Sequence, residues 1–191
     1  MALGIDKSVV MPEVVIYDLD TEKVVWRLTP DIAAAAGNAL LRVLGGKSTG
    51  HDGVRALAWS RDGNRLSVGF RRGALHHWEL SGEAPVLTVL VDQNQVAEAR
   101  WRTEFSPDSQ SLYSYSRGGG LYRHAADSQG KLQNTHHAEG LDASRGLSVS
   151  PDGRVVVVAT ESSLGFLDAT TLETRREVNG FFQSITAVRY S

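Results

Sequence analysis

One short segment recurs along the chain and limits the folds that the chain can adopt. Ser60-Arg61-Asp62-Gly63 is followed by Ser106-Pro107-Asp108-Ser109 and by Ser150-Pro151-Asp152-Gly153, each time after an interval in the forties. Asp and Gly in such a segment tolerate the positive φ of a tight turn. Apolar runs of strand length flank each copy, which is the pattern of strands joined by hairpins. The sequence therefore predicts a repeated antiparallel unit.

The unit around the first copy divides readily into strands. Residues 54–59, 66–70 and 75–80 are three apolar runs, and turn signals separate them. Three strands in such close succession predict an antiparallel meander. A period in the forties, with several strands in each repeat, is typical of a β-propeller.

Further residues of this unit resemble a known family. His51 stands where a WD40 repeat has its Gly-His pair, and Trp78-Glu79 resembles its closing Trp-Asp pair. The resemblance to the WD40-repeat β-propeller family covers roughly residues 14–191, apart from one insertion. It implies an all-β fold whose structural positions are His51, Trp59, Asp62, Gly63, Trp78, Pro107, Asp108, Pro151, Asp152, Gly153 and Asp168.

The predicted organisation is a single WD40-like domain over residues 1–191, formed by a segment of a propeller. It comprises the end of a blade (14–28), a helical insertion or connector (29–50), three four-stranded blades (51–90, 99–135 and 144–178) and the first strand of a further blade (185–191). Closed propellers carry about 4–8 blades. Either the terminal strands share one composite blade, or a second copy, another chain or further sequence supplies the missing blades; we favour the latter.

The insertion breaks the strand pattern. Thr29 and Pro30 suit a helix start, and Ile32 and Leu40 belong to an apolar series at helical spacing. We expect a short helix near residues 30–44. The resemblance implies that this connection lies on a face where partners dock, although a helix that only covers apolar surface would show the same pattern.

The WD40 family often contains a hydrogen-bond relay of Trp, Ser or Thr, His and Asp, which is incomplete in this chain. Val68 replaces the serine of the first blade, His124 replaces the tryptophan of the second, and Leu167 replaces that of the third. Stability is therefore expected to rest mainly on the packing of alternating apolar residues.

The motifs that would indicate chemistry are incomplete. The segment 45–49 (GGKST) has Leu41 where a phosphate-binding loop needs glycine. His76 and His77 are adjacent on a strand and so point to opposite faces, and the chain has no cysteine. We expect no enzymatic activity, no cofactor, no metal and no small-molecule substrate.

The net charge limits the kinds of partner that we expect, and the hydropathy limits the expected location. With 22 acidic and 20 basic residues the net charge is −2, which does not favour a nucleic-acid partner. Neither a signal peptide nor an apolar run long enough to span a membrane is visible. The expected location is the cytoplasm or another intracellular, non-secreted compartment.

Two groups of residues are candidates for partner binding besides Ile32 and Leu40. Arg71, Arg72 and Arg117 lie in equivalent turns of neighbouring blades. Their guanidinium groups can form bidentate contacts with an acidic peptide or a phosphate backbone. The alternative interpretation is that they are ordinary solvated turn residues. Phe181 and Phe182 lie in a blade connector. They serve either as an anchor in an interface with another protein or as a contact that packs against the next blade.

The function that this sequence predicts is a non-catalytic scaffold or structural subunit that holds proteins together, since propellers provide rigid repeated platforms. A regulatory or sensor propeller of a larger signalling protein is the first alternative. A nucleic-acid-associated subunit and a propeller enzyme are the others.

Overall fold

All regular secondary structure in the described part of the chain is β-strand. A computed structural model describes residues 14–28, 53–71, 73–91, 101–116, 120–139, 141, 146–160, 162–181, 185 and 187–190. The predicted helix at residues 30–44 lies outside these ranges. The strands are β1 (Val14–Asp18), β2 (Lys23–Leu28), β3 (Val54–Trp59), β4 (Arg65–Phe70), β5 (Leu75–Glu79), β6 (Val86–Val91), β7 (Arg102–Phe105), β8 (Ser111–Ser116), β9 (Gly120–Ala126), β10 (Leu132–Ala138), β11 (Gly146–Val149), β12 (Val155–Ala159), β13 (Ser163–Asp168) and β14 (Thr174–Asn179).

The strands form three four-stranded antiparallel meanders and one two-stranded sheet. We call β3–β6 blade one, β7–β10 blade two and β11–β14 blade three; β1 and β2 form the N-terminal sheet. The first strand of blade two contacts the first strands of blades one and three, and β6 contacts β10. The sheets are thus stacked with their first strands together, as blades are in a propeller. This confirms the all-β propeller fold predicted from the sequence.

The second strand of each blade is buried on both faces. All six residues of β4 and all six of β8 are buried, whereas a sheet with one solvated face shows alternating burial. In β8, Leu112 packs with Trp101 of the core shared with blade one, while Tyr113 and Tyr115 pack with Val156 of blade three. Alternate residues of one strand therefore belong to two different cores between blades.

The recurring segment forms the same hydrogen-bonded turn in every blade. Between β3 and β4, Ser60 Oγ donates to Asp62 Oδ1 at 2.5 Å and accepts from the Arg65 N–H at 2.9 Å. The serine hydroxyl thereby links the aspartate of the turn to the first residue of the next strand. The hydroxyl–carboxylate bond recurs in the other two blades, from Ser106 to Asp108 (2.5 Å) and from Ser150 to Asp152 (2.6 Å).

Each turn also places one residue in the left-handed region, and in blade three this residue is Gly153 with a φ of 71°. A Cβ there would meet only Pro107 Cδ, at 3.7 Å. We therefore expect Gly153→Ala to lower the free energy of unfolding by about 1–2 kcal/mol through backbone strain alone. Urea denaturation measures this loss. Gly82→Ala is the matched control, since Gly82 lies in an exposed loop outside the left-handed region, and an equal loss in both variants would contradict the assignment.

Arg65 fixes blade one to blade two. Its side chain is largely buried, and Nε donates to Glu79 Oε2 of the neighbouring strand at 2.9 Å. Nη1 donates to the Ser109 carbonyl, and Nη2 donates to the Gly130 carbonyl at 3.3 Å. Both carbonyls belong to turns of blade two. Every guanidinium nitrogen therefore has an acceptor, and the side chain holds the two blades in register.

Three of the described histidines are buried, and two of them, His77 and His124, lie where blades one and two meet. His77 is 2% exposed and packs near Phe105, whereas His76 packs near Phe70 and Trp78, so the two neighbours point to opposite faces as predicted. His124 is fully buried, and its Nε2 lies 2.8 Å from Ser114 Oγ. His124 stands where the WD40 relay has a tryptophan, and this bond gives its ring a polar partner.

Burial keeps the imidazoles of His77 and His124 neutral at pH 7. Desolvation lowers the pKa of His77 to about 4, although the Glu79 carboxylate acts in the opposite direction. Desolvation, with a smaller effect from His77, lowers the pKa of His124 to about 3. The folded chain therefore resists protonation at two sites that titrate freely once it unfolds.

Candidate protein-interaction surface

The residues that precede the three repeated turns are equivalent, but their burial differs. Phe105 and Val149 are 7% and 6% exposed, whereas Trp59 is 47% exposed. Two positions earlier, Leu147 is 8% exposed and Leu57 is 55% exposed. The positions that are covered in blade three are therefore open in blade one.

The cover in blades two and three comes from the blade before. Phe105 packs with Ala56 and Ala58 of β3, and Val149 packs with Tyr113 and Tyr115 of β8. Each first strand thus buries one face against its predecessor. This packing repeats from blade to blade, as expected of an array whose units contact only their neighbours.

Blade one is preceded by the N-terminal sheet, which covers only part of its face. Ile16 and Trp26 pack against the core that contains Leu66 and Val68 of β4. Trp59 and Leu57 pair with these two residues and so share their face of the blade, yet both remain exposed. The sheet therefore packs on the core around β4 and leaves Leu57 and Trp59 of β3 exposed.

The other face of the N-terminal sheet is also apolar and exposed. Val15 is 39% exposed, Tyr17 is 54% exposed and Val25 is 48% exposed. We call Val15, Tyr17, Val25, Leu57 and Trp59 together the open N-terminal surface. Val15, Tyr17 and Val25 lie on the outward face of the N-terminal sheet, and Leu57 and Trp59 lie on β3. Large exposed apolar side chains are characteristic of surfaces that bind another protein.

The opposite end of the array carries a short segment along β11. A Cβ added to Gly146 would lie 2.8 Å from the Val188 nitrogen, and the Tyr190 N–H donates to Ser148 Oγ at 3.2 Å. Residues 187–190, which we call the terminal segment, show no regular strand pairing where a first strand was predicted. They nevertheless lie against β11, which itself lies against β7.

Glu104 joins the first strands at this end. Its Oε1 accepts from the Val149 N–H at 3.1 Å and from Ser148 Oγ at 3.4 Å. Burial raises the pKa of Glu104, while these two bonds and the Arg189 guanidinium act in the opposite direction. The carboxylate thus connects β7 of blade two to β11 of blade three and lies close to the terminal segment.

The face of blade three that points away from blade two is partly open. Leu164 pairs with Val178, and Phe166 pairs with Val157, so these residues share one face of the sheet. Leu164, Phe166 and Val178 are partly exposed. We call these three residues the far face of blade three, and it is the counterpart of the open N-terminal surface at the other end.

The structure describes only part of the predicted partner-binding set. Arg71 is exposed in the turn after β4, and Phe181 is 39% exposed just after β14. Both are accessible, but they lie in different turns. The remaining predicted residues, Arg72, Arg117, Ile32, Leu40 and Phe182, lie outside the described ranges.

The structure describes all of the predicted structural positions except His51. Trp78 is buried, and Asp168 accepts the backbone N–H groups of Thr170 and Thr171 at 2.7 and 2.9 Å. These bonds, with the Arg175 guanidinium, lower the pKa of Asp168 to about 2. His51 lies outside the described residues. Trp59, which the repeat pattern treats as equivalent to buried aromatic residues, is instead half-exposed.

Among the residues that the structure describes, no three His, Asp or Glu side chains form a group that could hold a metal ion. No helix in these ranges has the length and apolar character needed to cross a membrane.

Solved structures of other proteins have a fold similar to that of this chain. The chain is similar to hydrazine synthase of Kuenenia stuttgartiensis (TM-score 0.61, 14% identity, 91% of this chain and 43% of that chain). It is equally similar to the Cps50 (Swd1) β-propeller domain of Myceliophteria thermophila (TM-score 0.61, 16% identity, 93% of this chain and 52% of that chain). The chain thus spans about half the length of these structures.

Comparison of the amino-acid sequence does not assign the chain to a family. No family model matches the chain, and no curated protein matches it. The stacked four-stranded meanders and the likeness to a propeller domain define the chain as a β-propeller segment.

Proposed function

We propose that this chain is a WD40-like propeller segment that acts as a non-catalytic scaffold or structural subunit for protein–protein interaction. The open N-terminal surface is the observation that carries the proposal. Five apolar or aromatic side chains, each 39% to 55% exposed, lie at one end of a rigid array. Burying such side chains stabilises a complex by about 25 cal/mol for each Å² of apolar surface removed from water.

The position of this surface supports the same proposal. Trp59 is equivalent to Phe105 and Val149, and Leu57 is equivalent to Leu147 of blade three. Each of these three equivalents packs against the preceding blade. Their side chains are therefore already oriented for packing against a protein surface, and binding need not reorganise them. The assignment to WD40-like repeats rests on the Ser-x-Asp turns together with Trp78 and His51 of the first repeat.

Expression of the tagged chain in its native cell tests the proposal. We expect a stoichiometric complex to co-purify, and we expect the double substitution Leu57→Asp and Trp59→Asp to remove it, since a charge at a desolvated contact costs roughly 2 kcal/mol or more. Quantitative mass spectrometry of the purified material measures the loss.

Val86→Asp is the matched control. Val86 is 60% exposed on β6, the last strand of blade one, and it is not part of the open N-terminal surface. This variant should retain the complex. Retention of the complex by the Leu57/Trp59 double variant would show that the open N-terminal surface is not the binding site.

A further inference from the structure

We infer that the outer edge of blade one binds an extended peptide segment of another protein. The segment would pair with β6 as a further strand of the blade, and its side chains would enter a groove between blades one and two. This site is separate from the open N-terminal surface. The inference therefore goes beyond the proposed function, and either can fail without the other.

β6 is an edge strand that lacks the usual protection against pairing. It is the outermost strand of blade one, and in the described part of the chain it pairs only with β5. Its other side presents backbone N–H and C=O groups with which another strand can pair. Natural edge strands are commonly protected by charged side chains or proline, but the β6 sequence VLTVLV contains neither. This row of backbone groups selects its occupant, because only another extended backbone matches its spacing.

The outer strands of the other two blades differ from β6. β14 carries the exposed charged residues Arg175, Arg176 and Glu177. β10 carries a run of exposed polar residues at 133–137. Residues 86–89 of β6 instead pair regularly with β5, and three of the four are β-branched, a type that favours strand pairing. Addition of a strand is therefore favoured at blade one and disfavoured at blade three.

A groove of about 520 Å³ follows the same part of β6. Blade one contributes residues 86–88 to its lining, and blade two contributes residues 129–131 from the turn between β9 and β10. Consecutive side chains of a strand point to opposite faces, so a groove lined by three consecutive residues lies along the backbone edge. Its volume is within the range of about 300–1,000 Å³ that is typical of ligand sites. An added strand would therefore find room for its side chains beside the backbone with which it pairs.

Arg65 holds the two sides of the groove together. Its Nε donates to Glu79 Oε2 of blade one at 2.9 Å, and its Nη2 donates to the Gly130 carbonyl of blade two at 3.3 Å. Arg65, Glu79 and Gly130 all line the groove. The groove is thus formed before binding, which reduces the ordering cost that a bound segment must offset.

The charges of the lining favour a neutral main chain over a charged polymer. Arg65 and Lys131 are basic, whereas Asp62 and Glu79 are acidic. A nucleic-acid backbone would bring its phosphates close to both carboxylates, which is unfavourable. Peptide groups are uncharged and offer donors and acceptors in equal number. The balance of charges therefore indicates a peptide as the occupant.

His77 gives the groove a further point of recognition. Its ring is buried and lines the groove, and its Nδ1 has no hydrogen-bond partner among the described residues. Most buried polar atoms in proteins are paired. A hydroxyl or amide group that reaches this nitrogen would gain a hydrogen bond without breaking one within the chain. We expect bound segments to carry serine, threonine or asparagine at the position that enters the groove.

Selection of random peptides displayed on phage against the 191-residue chain tests the inference. We expect enriched peptides with alternating apolar residues, the period of a strand. Ser81→Trp should weaken their binding roughly tenfold or more, because Ser81 is exposed in the lining and an indole there would fill the groove. Thr170→Trp is the matched control, since Thr170 is exposed in the corresponding turn of blade three, and it should leave the affinity unchanged. Isothermal titration calorimetry with synthetic copies of the peptides measures both.

Hydrogen exchange of the chain with a selected peptide tests the backbone pairing. The peptide should slow the exchange of β6 amides roughly tenfold or more, because an added strand supplies acceptors for their outward N–H groups. The amides of β14, whose edge is charged, should exchange at the same rate with and without the peptide. Equal protection of β14 and β6 would contradict the assignment of the site.

Failure to enrich any peptide, or equal affinity of the peptides for the wild-type chain and Ser81→Trp, would overturn the inference. A dimer that is seen by light scattering and dissociated by Ser81→Trp would also overturn it, since a second copy would then occupy β6. Val86→Asp separates this site from the open N-terminal surface, because a charge on the edge should weaken the peptides and still retain the complex that depends on Leu57 and Trp59. Loss of that complex in the Leu57/Trp59 double variant would support the proposed function whether or not the peptides bind.

Discussion

Gly69→Ala is expected to destabilise the chain by about 1–3 kcal/mol or more, because it overfills the contact between blades one and two. A Cβ on Gly69 would lie 2.5 Å from Trp101 Cβ, 2.6 Å from Cγ and 2.7 Å from Cδ1. Trp101 is fully buried in the core between these blades and has little room to retreat. The shift of the urea midpoint measures this loss.

A double-mutant cycle shows whether the two residues are in contact. Trp101→Ala alone should cost about 3–5 kcal/mol, the usual range for loss of a buried aromatic side chain. In the double variant Gly69→Ala/Trp101→Ala the new methyl group no longer meets an indole, so the combined loss should be smaller than the sum. Gly165→Ala is the control, since its Cβ would meet Leu167 Cδ1 at an ordinary 3.5 Å. Strict additivity would contradict the contact.

Acidification from about pH 6.5 towards pH 4 is expected to destabilise the chain by about 1.4 kcal/mol per pH unit for each of two buried histidines. The ordinary pKa of 6.5 falls to about 4 for His77 and to about 3 for His124 in the folded chain. In this window the unfolded chain binds protons that the folded chain does not, so stability rises with pH and is lost as pH falls. Urea denaturation at several pH values between 7 and 4 measures the slope.

Substitution of single histidines separates the contributions. His124→Gln removes one titrating group and keeps a hydrogen-bonding partner for Ser114, so the slope of stability against pH should fall by about half. Asn134→Gln is the control, since Asn134 is exposed on β10 and carries no titrating group, and it should leave the slope unchanged. Glu104, whose pKa burial raises, contributes with the opposite sign in all variants. The same slope in the wild type and in His124→Gln would refute the role of the buried imidazole.

The strand order of this fold was predictable from the sequence because its signals are local. Each Ser-x-Asp segment satisfies its own backbone within a few residues, so the turn forms wherever the segment occurs. The flanking apolar runs then pair as hairpins, and three copies give three meanders. The histidine pair on β5 was likewise correctly placed on opposite faces by strand alternation alone.

The candidate surface was not predictable in the same way, because it depends on contacts between distant segments. Trp59 carries the same local signal as Phe105, and core packing is the usual outcome for an aromatic residue in a strand. Its exposure depends on what precedes blade one, since the N-terminal sheet packs on the core around Leu66 and Val68 and leaves Trp59 exposed. Arg65 is a similar case, because two of its three acceptors are carbonyls of blade two.

Radical footprinting of the tryptophans tests the central claim most directly, since it reports the core and the open N-terminal surface in one experiment. Trp78 and Trp101 are 2% and 0% exposed, whereas Trp59 is 47% exposed. In the dissociated chain we predict strong labelling of Trp59 and little labelling of Trp78 and Trp101. In the assembled state Trp59 should become as protected as the other two. Labelling of Trp59 that is the same in both states, or strong labelling of Trp101 in either, would contradict this account.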